Sequence, residues 1–158
     1  MSRLGIGYDA HPLVEGRALV LGGVHVLHDY GLEGHSDGDA LTHALIDALL
    51  GAAALGDIGS HFPASEVAEG ASSIAMLERT ASLVRDAGWR VVNVDATIVA
   101  QHPRLAQHIV AMRTAISAAL QLPLDDVSVK ATTEDGLGFT GRGDGIAAMA
   151  VASLEPIT

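Results

Sequence analysis

An α/β (α+β) fold with a mixed β-sheet and three helices packed on one side is the fold class that the sequence predicts. Strand-like and helix-like segments follow one another in the order β-β-α-α-β-α-β-β, and three of the segments carry apolar residues at helical spacing. No linker or internal repeat divides the chain, and 158 residues suffice for one buried core. We therefore expect a single domain over residues 1–158.

The first strands are indicated by alternating apolar and polar residues. Residues 3–8 alternate, and residues 17–27 predict two short strands or one bulged strand around Gly22-Gly23. The segment between them, residues 9–16, contains His11-Pro12 and is expected to form a loop.

The first helix is expected to follow a loop at residues 34–38 and to run to about Leu55. Ser36 is its expected N-cap, with Asp39 at capping-box spacing. Gly56 is expected to end it.

A long loop and a second helix come next. Residues 57–71 contain glycine and proline without a period, which is typical of a lid or binding loop. The second helix is expected to start at Ser72 or Ser73 and to end at Gly88.

The rest of the chain alternates strand, helix and strand. Its predicted elements are a strand at 90–100, a helix at 105–120, a strand at 127–133, a glycine-rich loop at 134–145 and a final strand at 146–155. In the strand at 90–100, the alternate residues from Val92 to Ala100 are expected to share one face.

Composition argues against several classes of protein. The net charge of −10 disfavours non-specific nucleic-acid binding. No apolar run has the length of a membrane span, and the first residues do not resemble a targeting peptide. Cysteine is absent, which favours a reducing cytoplasm. A phosphorylated substrate would need local positive charge from a metal, arginine or backbone N–H groups.

Asp9 and His11 indicate a metal site. Residues two apart in an extended segment point the same way, and His43, on a nearly apolar helix, is a candidate third ligand. Two histidines and one aspartate with an open fourth position are typical of catalytic zinc. The alternative is a core histidine bound to a carbonyl group and an aspartate that caps a turn.

Asp39, His43 and Asp47 recur every fourth residue and so share one face of the predicted helix. A charge buried there without a partner would be costly, so we expect each to be paired or metal-bound. Asp39 is equally well interpreted as an acid of the first turn that complements the helix dipole. The alternative for Asp47 is a solvated face.

The glycine-rich loop has the composition of an anion site. The hydroxyl groups of Thr132 and Thr133 can donate, and Arg142 could bind a diphosphate. Glu134 or Asp135 could hold a divalent ion that bridges phosphates. The alternative is a flexible hairpin loop.

Taken together, five motifs resemble the 2-C-methyl-D-erythritol 2,4-cyclodiphosphate synthase family of the non-mevalonate isoprenoid pathway. The resemblance covers essentially the whole chain and rests on "GIGYDAHPL", "GLEGHSDGDALTHALIDALLGAAALGDIG", "FP", "NVDATIVAQHPRL" and "KATTEDGLGFTGRGDGIA". It implies a metal-dependent, CMP-releasing phosphorus–oxygen lyase. The substrate would be 4-diphosphocytidyl-2-C-methyl-D-erythritol 2-phosphate, whose own 2-phosphate attacks the β-phosphorus.

The resemblance also implies a cytoplasmic homotrimer with each active site between two subunits, without nucleic-acid or membrane partners. Zn²⁺ or another divalent ion would be held by Asp9, His11 and His43, and Mg²⁺ or Mn²⁺ at the diphosphate by Asp135. The adjacent Glu134 leaves that second ligand ambiguous. His35 and Thr133 match the pair that stabilises the transition state.

Many further positions match substrate contacts of the family. The full set is Asp9, Ala10, His11, His35, Ser36, Asp47, Asp57, Ile58, Gly59, Phe62, Pro63, Ala64, Ser65, Glu66, Ala100, Gln101, His102, Pro103, Arg104, Leu105, Ala106, Thr132, Thr133, Glu134, Asp135, Phe139 and Arg142. Residues 100–106 match the cytidine pocket supplied by the neighbouring subunit. The loop at 64–70 is one residue shorter than the family pattern, so its contacts to the methylerythritol are expected to differ.

Two other functions are compatible with these residues. One is a zinc phosphohydrolase on the same scaffold, in which water attacks instead of the 2-phosphate. The other is a metal-stabilised trimeric binding protein, although retention of both His35 and Thr133 favours catalysis. Small apolar residues on the strand faces suggest burial against a partner, namely Ala96, Ala100, Ala147, Ala148, Ala150 and Ala152.

Overall fold

A five-stranded mixed β-sheet carries the long helices on one of its faces. The computed structural model describes all residues from Met1 to Thr158. Its elements are β1 (Arg3–Glu15), β2 (Leu19–Leu21), β3 (Val24–Val26), β4 (Tyr30–Leu32), α1 (Ala40–Ala53), α2 (Ile58–His61), α3 (Ser73–Asp86), β5 (Trp89–Val99), α4 (Ile109–Leu120), β6 (Val127–Thr132), α5 (Gly138–Gly141) and β7 (Gly145–Pro156).

The sheet order is β4-β1-β7-β5-β6, in which β5 and β6 pair in parallel and the other pairs are antiparallel. β2 and β3 form a separate hairpin, as one of the two sequence interpretations has it. The predicted α+β fold with a mixed sheet is therefore confirmed. None of the helices has the length and apolar character needed to cross a bilayer.

β1 is longer than predicted, and the expected loop at residues 9–16 is wrong. The strand continues through Pro12 because its partner changes there, from β7 to β4. The Pro12 carbonyl accepts a hydrogen bond from the Glu33 N–H at 2.9 Å, and the Leu13 N–H donates to the Asp144 carbonyl at 2.9 Å. A proline that lacks an N–H is tolerated where the ladder changes partner.

The N-cap of α1 is Asp39 and not Ser36. The Asp39 carboxylate is fully buried and accepts from the Thr42 N–H at 3.0 Å. It also accepts from the N–H groups of Gly22 and Gly23, at 2.9 and 2.8 Å, in the turn between β2 and β3. Burial raises the pKa of Asp39 against the pull of these donors. Asp39 therefore has the structural role, fixing the start of α1 against the hairpin.

Three further boundaries differ from the prediction. α1 ends at Ala53 and its C-cap Ala54 is left-handed (φ 58°), so Gly56 does not end the helix. The predicted loops at 57–71 and 134–145 contain the single-turn helices α2 and α5. A bulge between Val91 and Asn93 takes Val92 out of the alternation, leaving it 37% exposed.

Gly5 and Gly7 bring the backbones of β1 and α1 into contact. A Cβ atom on Gly7 would lie 1.9 Å from the Ala44 carbonyl oxygen, and one on Gly5 would lie 2.0 Å from that of Ala48. Both glycines share the helix-facing side of β1 with Asp9 and His11. The absence of side chains at these two positions sets the distance from β1 to α1.

We expect Gly7→Ala to lower the free energy of unfolding by about 1–3 kcal/mol, because a helix backbone cannot move aside as a side chain can. Urea unfolding followed by circular dichroism measures this. Gly51→Ala is the matched control, since Gly51 lies in α1 with open space around its Cβ position. That control should be as stable as the parent or more stable, and an equally stable Gly7→Ala would contradict the packing argument.

The other face of the sheet is not covered by helices. Leu4, Ile6 and Tyr8 of β1 lie on it beside Met149 and Val151 of β7, and we call these five residues the open sheet face. They are between 44% and 74% exposed. The six alanines expected to meet a partner are instead buried within the chain, so that expectation is wrong for those residues.

Candidate active site

Asp9, His11 and His43 converge at the junction of β1 and α1. Asp9 and His11 are two residues apart on β1 and face the helix, and His43 lies on the first turn of α1. Asp9 Oδ2 lies 2.7 Å from His11 Nε2 and 3.0 Å from His43 Nδ1, and the two ring nitrogens are 3.2 Å apart. Three potential metal ligands therefore meet at one point.

The outer nitrogen of each ring is engaged away from this point. His11 Nδ1 lies 2.6 Å from the Glu33 carbonyl, which can only accept, so Nδ1 carries the proton. In the neutral ring, His11 Nε2 therefore presents a lone pair to Asp9. His43 Nε2 faces Ser73 Oγ at 2.8 Å and Ser36 Oγ at 3.1 Å, with Nδ1 turned to the cluster.

Charge at the cluster is shared between the carboxylate and the imidazoles. Burial works to raise the pKa of Asp9, but the neighbouring imidazoles of His11 and His43 outweigh it and lower the pKa to about 2. The pKa of His11 is raised, chiefly by its hydrogen bond to Asp9. The ionised Asp9 carboxylate therefore favours positive charge beside it.

The donor set fits a divalent metal ion. Two imidazole nitrogens and one carboxylate oxygen are directed at a common point. The adjoining pocket is lined by no lysine or arginine, whose positive charge would compete with a metal ion. Nitrogen and oxygen donors in this combination bind divalent ions such as zinc. The cluster could therefore hold a divalent ion.

A pocket of about 230 Å³ opens beside the cluster. Ten of the expected site residues line it: Asp9, His11, His35, Ser36, His43, Asp47, Ile58, Gly59, Phe62 and Ala64. Asp47 accepts from the Ile58 N–H at 2.8 Å, which ties the start of α2 to α1, and burial raises its pKa. His35 donates from Nε2 to the Val67 carbonyl at 2.7 Å. We call this cavity the metal pocket.

A second pocket of about 580 Å³ lies after the ends of β5 and β6. It is lined by the expected residues Ala100, Gln101, His102, Pro103, Arg104, Leu105, Ala106, Thr132, Thr133 and Asp135. The Thr133 hydroxyl donates to Asp135 Oδ1 at 2.9 Å and accepts from the Asp135 N–H at 3.2 Å. We call this cavity the nucleotide pocket, after the cytidine contacts that the family resemblance implies for residues 100–106.

The two pockets share no residue. Asp9 and Ala131 lie at the same level of the sheet, separated through Ala148 and Ile98 by three strand spacings. At 4.7–4.9 Å per spacing, their backbones are about 14 Å apart. Within one chain, the structure brings His35 to the metal cluster and Thr133 to the nucleotide pocket, and it does not bring His35 and Thr133 together.

Eight expected contact residues lie outside both pockets: Ala10, Asp57, Pro63, Ser65, Glu66, Glu134, Phe139 and Arg142. Asp57 caps α2, and its pKa is lowered by the hydrogen bond from Ser60. The Glu134 carboxylate accepts from the Thr140 hydroxyl, and Arg142 pairs with Asp144 at 2.9 Å.

Sequence reasoning missed several residues of the metal pocket. Val67 and Met76 line it, and Ser73 reaches the outer nitrogen of His43. Ser73 was identifiable only as a possible helix start, and the apolar pair has no distinguishing signal. The positions of these three residues depend on how α3 packs against α1. The apolar and polar pattern of a single segment does not specify that packing.

Comparisons with known proteins identify the family to which the sequence is similar. The model of the YgbB family matches residues 2–155. The 2-C-methyl-D-erythritol 2,4-cyclodiphosphate synthase of Pseudomonas entomophila is 58% identical over 155 residues, which are 98% of this chain and 99% of that protein.

Solved structures give the same result. A Plasmodium falciparum IspF in complex with CDP has a TM-score of 0.87 and 31% identity, over 99% of this chain and 97% of that one. The bifunctional IspDF of Campylobacter jejuni has a TM-score of 0.95 and 39% identity over 99% of this chain. This chain spans only 42% of that bifunctional protein.

Proposed function

Because the chain belongs to the YgbB family, and is similar over nearly its full length to 2-C-methyl-D-erythritol 2,4-cyclodiphosphate synthases, we propose that it catalyses that ring closure in non-mevalonate isoprenoid synthesis. The substrate is 4-diphosphocytidyl-2-C-methyl-D-erythritol 2-phosphate. The observation that carries the proposal is the Asp9–His11–His43 cluster, which opens onto a pocket that also holds His35 and Asp47.

The reaction is an intramolecular phosphoryl transfer, with the enzyme acting as a phosphorus–oxygen lyase in the cytoplasm. An oxygen of the 2-phosphate forms a bond to the β-phosphorus, and the bond from that phosphorus to the bridging oxygen breaks. CMP leaves with the bridging oxygen, and the product is the 2,4-cyclodiphosphate. Because the nucleophile belongs to the substrate, holding its two ends close together supplies much of the rate.

Positive charge and hydrogen-bond donors stabilise the reacting phosphates. When bound, Zn²⁺ at Asp9, His11 and His43, and Mg²⁺ or Mn²⁺ at Asp135, would draw charge from phosphoryl oxygens. His35 and Thr133 are the proposed donors to the same oxygens. In a protein with a net charge of −10, these groups reverse the local sign of charge.

Asp135 is a better candidate than Glu134 for the diphosphate cation. The Glu134 carboxylate already accepts from the Thr140 hydroxyl of α5, whereas Asp135 lines the nucleotide pocket. The Thr133 hydroxyl donates to Asp135. It can turn to a phosphoryl oxygen once the Asp135 carboxylate has a cationic partner.

We further propose a homotrimer in which the metal pocket of one subunit faces the nucleotide pocket of the next. Two observations support an assembly: the pockets share no residue, and the open sheet face is apolar. The number three comes from the family resemblance. In this arrangement, Arg104 and Thr133 of one copy reach the metal-bound end of a substrate held by another.

Light scattering at micromolar concentration should give the mass of three chains. Ile6→Glu should lower that mass, because it places a charge within the open sheet face, where Ile6 is 74% exposed. Leu27→Glu is the matched control, since Leu27 is 98% exposed but lies outside that face. A parent protein with the mass of one chain would overturn the trimer.

Mixed assemblies test whether the site is shared. His43→Ala alters only the metal pocket and Thr133→Ala only the nucleotide pocket. Unfolding and refolding the two variants together should restore part of the activity that each lacks, because some junctions would combine two intact pockets. Activity no greater than that of the separate variants would place the whole site within one chain.

Incubation with the diphosphocytidyl substrate tests the function itself. We expect CMP and the cyclic diphosphate, identified by ³¹P NMR. CMP with an acyclic bisphosphate, formed by attack of water on the β-phosphorus, would instead select a zinc phosphohydrolase. Binding without turnover would select a metal-stabilised binding protein.

A further inference from the structure

A chain of hydrogen bonds leads from His43 away from the metal pocket. His43 Nε2 lies 2.8 Å from Ser73 Oγ, and the Ser73 hydroxyl donates to Asp37 Oδ1. The other oxygen of the same carboxylate, Oδ2, accepts from the Ser73 N–H at 3.0 Å. Ser73 is fully buried, so water has no access to replace its hydroxyl group.

The direction of each hydrogen bond follows from counting protons. An ionised carboxylate can only accept, so the single hydroxyl proton of Ser73 points to Asp37. The Ser73 oxygen must then accept from His43, which places a proton on Nε2. His43 Nδ1 is left with its lone pair, and it is this atom that faces Asp9 and His11.

We propose that Ser73 and Asp37 are positioning residues that fix the tautomer and orientation of His43 as a metal ligand, an inference that rests on the metal site of the proposed function. Metal-bound histidines in general depend on an acceptor at the second nitrogen, which orients the ring and strengthens its donor atom. Here the acceptor is a buried hydroxyl that is itself held by a carboxylate.

We call the hydrogen-bonded chain His43–Ser73–Asp37 the relay. The relay also connects the proposed metal site to the start of α3. Ser73 is the first residue of that helix, and the Asp37 carboxylate caps its N–H. The Asp37 N–H donates to the Ala71 carbonyl at 3.1 Å, and the Gly70 N–H donates to the His35 carbonyl at 2.8 Å. The loop that carries His35 and the loop that precedes α3 are therefore fastened to each other beside His43.

Ser73→Ala should weaken zinc binding about 10- to 100-fold, measured by competition with a chromogenic chelator. Ser36 Oγ, a second and longer acceptor at 3.1 Å, keeps the loss from being complete. Ser72→Ala is the matched control. Ser72 is the N-cap of the same helix, bonded through its side chain to the Ala75 N–H, and does not contact His43. That control should lower the melting temperature and leave the zinc dissociation constant unchanged.

Two further variants separate the relay from simple packing. Ser73→Thr keeps the hydroxyl group and should bind zinc nearly as the parent does. Asp37→Asn should weaken binding, because the Ser73 N–H and O–H are accepted by different oxygens of Asp37, and the NH2 group that replaces one of them cannot accept. With Co²⁺ at saturation, Ser73→Ala should shift the visible absorption bands, which report the ligand field, whereas Ser72→Ala should not.

Equal zinc affinity in Ser73→Ala and the parent would overturn the relay while leaving the metal site intact. Equal losses in Ser72→Ala and Ser73→Ala would overturn it too, by assigning the effect to the helix end. A parent protein that binds no divalent ion at all would remove the metal proposal, and the relay with it.

Discussion

Alanine at His35 or at Thr133 is expected to lower turnover about a hundredfold or more, the usual cost of losing one donor to the transition state. CMP affinity should stay close to that of the parent. In the proposed mechanism the donors are directed at charge that develops as the ring closes, and such donors act on the rate more than on ground-state binding. Steady-state kinetics and calorimetric titration with CMP measure the two effects separately.

The environment of His35 sharpens this expectation. Its Nε2 already donates to the Val67 carbonyl, so a second donor needs a proton on Nδ1 or release from Val67. Along either route the imidazole changes its hydrogen bonding before it donates to the substrate. His35→Asn should recover little of the lost rate, because the amide is shorter and is not held by Val67.

Arg104→Ala provides the contrasting control. Arg104 lines the nucleotide pocket and attracts the phosphorylated substrate in ground and transition states alike, so its loss should raise KM more than it lowers kcat. Near-normal turnover in both donor variants, with the metal still bound, would contradict the catalytic assignment. The segment from Thr132 to Arg142 would then be only a structural connection between β6 and β7, which are not neighbours in the sheet.

His43→Ala is expected to abolish stoichiometric zinc binding and, with it, most of the activity. The substitution removes one of three convergent ligands and leaves Asp9 and His11 as an incomplete pair. Elemental analysis of the purified variant after dialysis against a weak chelator measures the zinc content, expected as one ion per parent subunit.

His25→Ala is the control for that experiment. His25 is exposed on β3 and belongs to neither pocket, so its loss should leave the zinc content unchanged. Full zinc occupancy in His43→Ala would remove His43 from the ligand set. A folded variant, checked by circular dichroism, excludes general unfolding as the reason for metal loss.

The three residues that could hold a metal ion were predictable because each stands out against its local pattern. Asp9 and His11 are two residues apart on a strand, and His43 is a polar residue on a helix that is mostly alanine and leucine. At Asp39 the sequence left a structural and a functional role open, and the structure shows the structural one. Its four hydrogen bonds to the β2–β3 turn and to Thr42 depend on a contact between distant segments. Spacing identifies the shared face but not what packs against it.

Contacts between segments distant in sequence limited the fold prediction. Pro12 suggested a loop, yet β1 continues because two different partners flank that residue. The bulge at Val92 likewise results from pairing with β7 and has no local signal. The positions of Ser73 and Val67 beside His43 and His35 are tertiary contacts, which alternation and helical periodicity cannot specify.

The backbone contact at Gly5 and Gly7 has a consequence for how metal binding relates to folding. The three ligands are borne by two elements that touch without intervening side chains, within a core of 35 buried residues. The conformational entropy of bringing the three side chains together is therefore lost when the core folds. The site is preorganised before an ion binds. In small zinc domains, by contrast, the ion holds the fold together. Removing the metal with a chelator should therefore leave a folded but inactive protein. An ion added back should bind to ligands that are already in position.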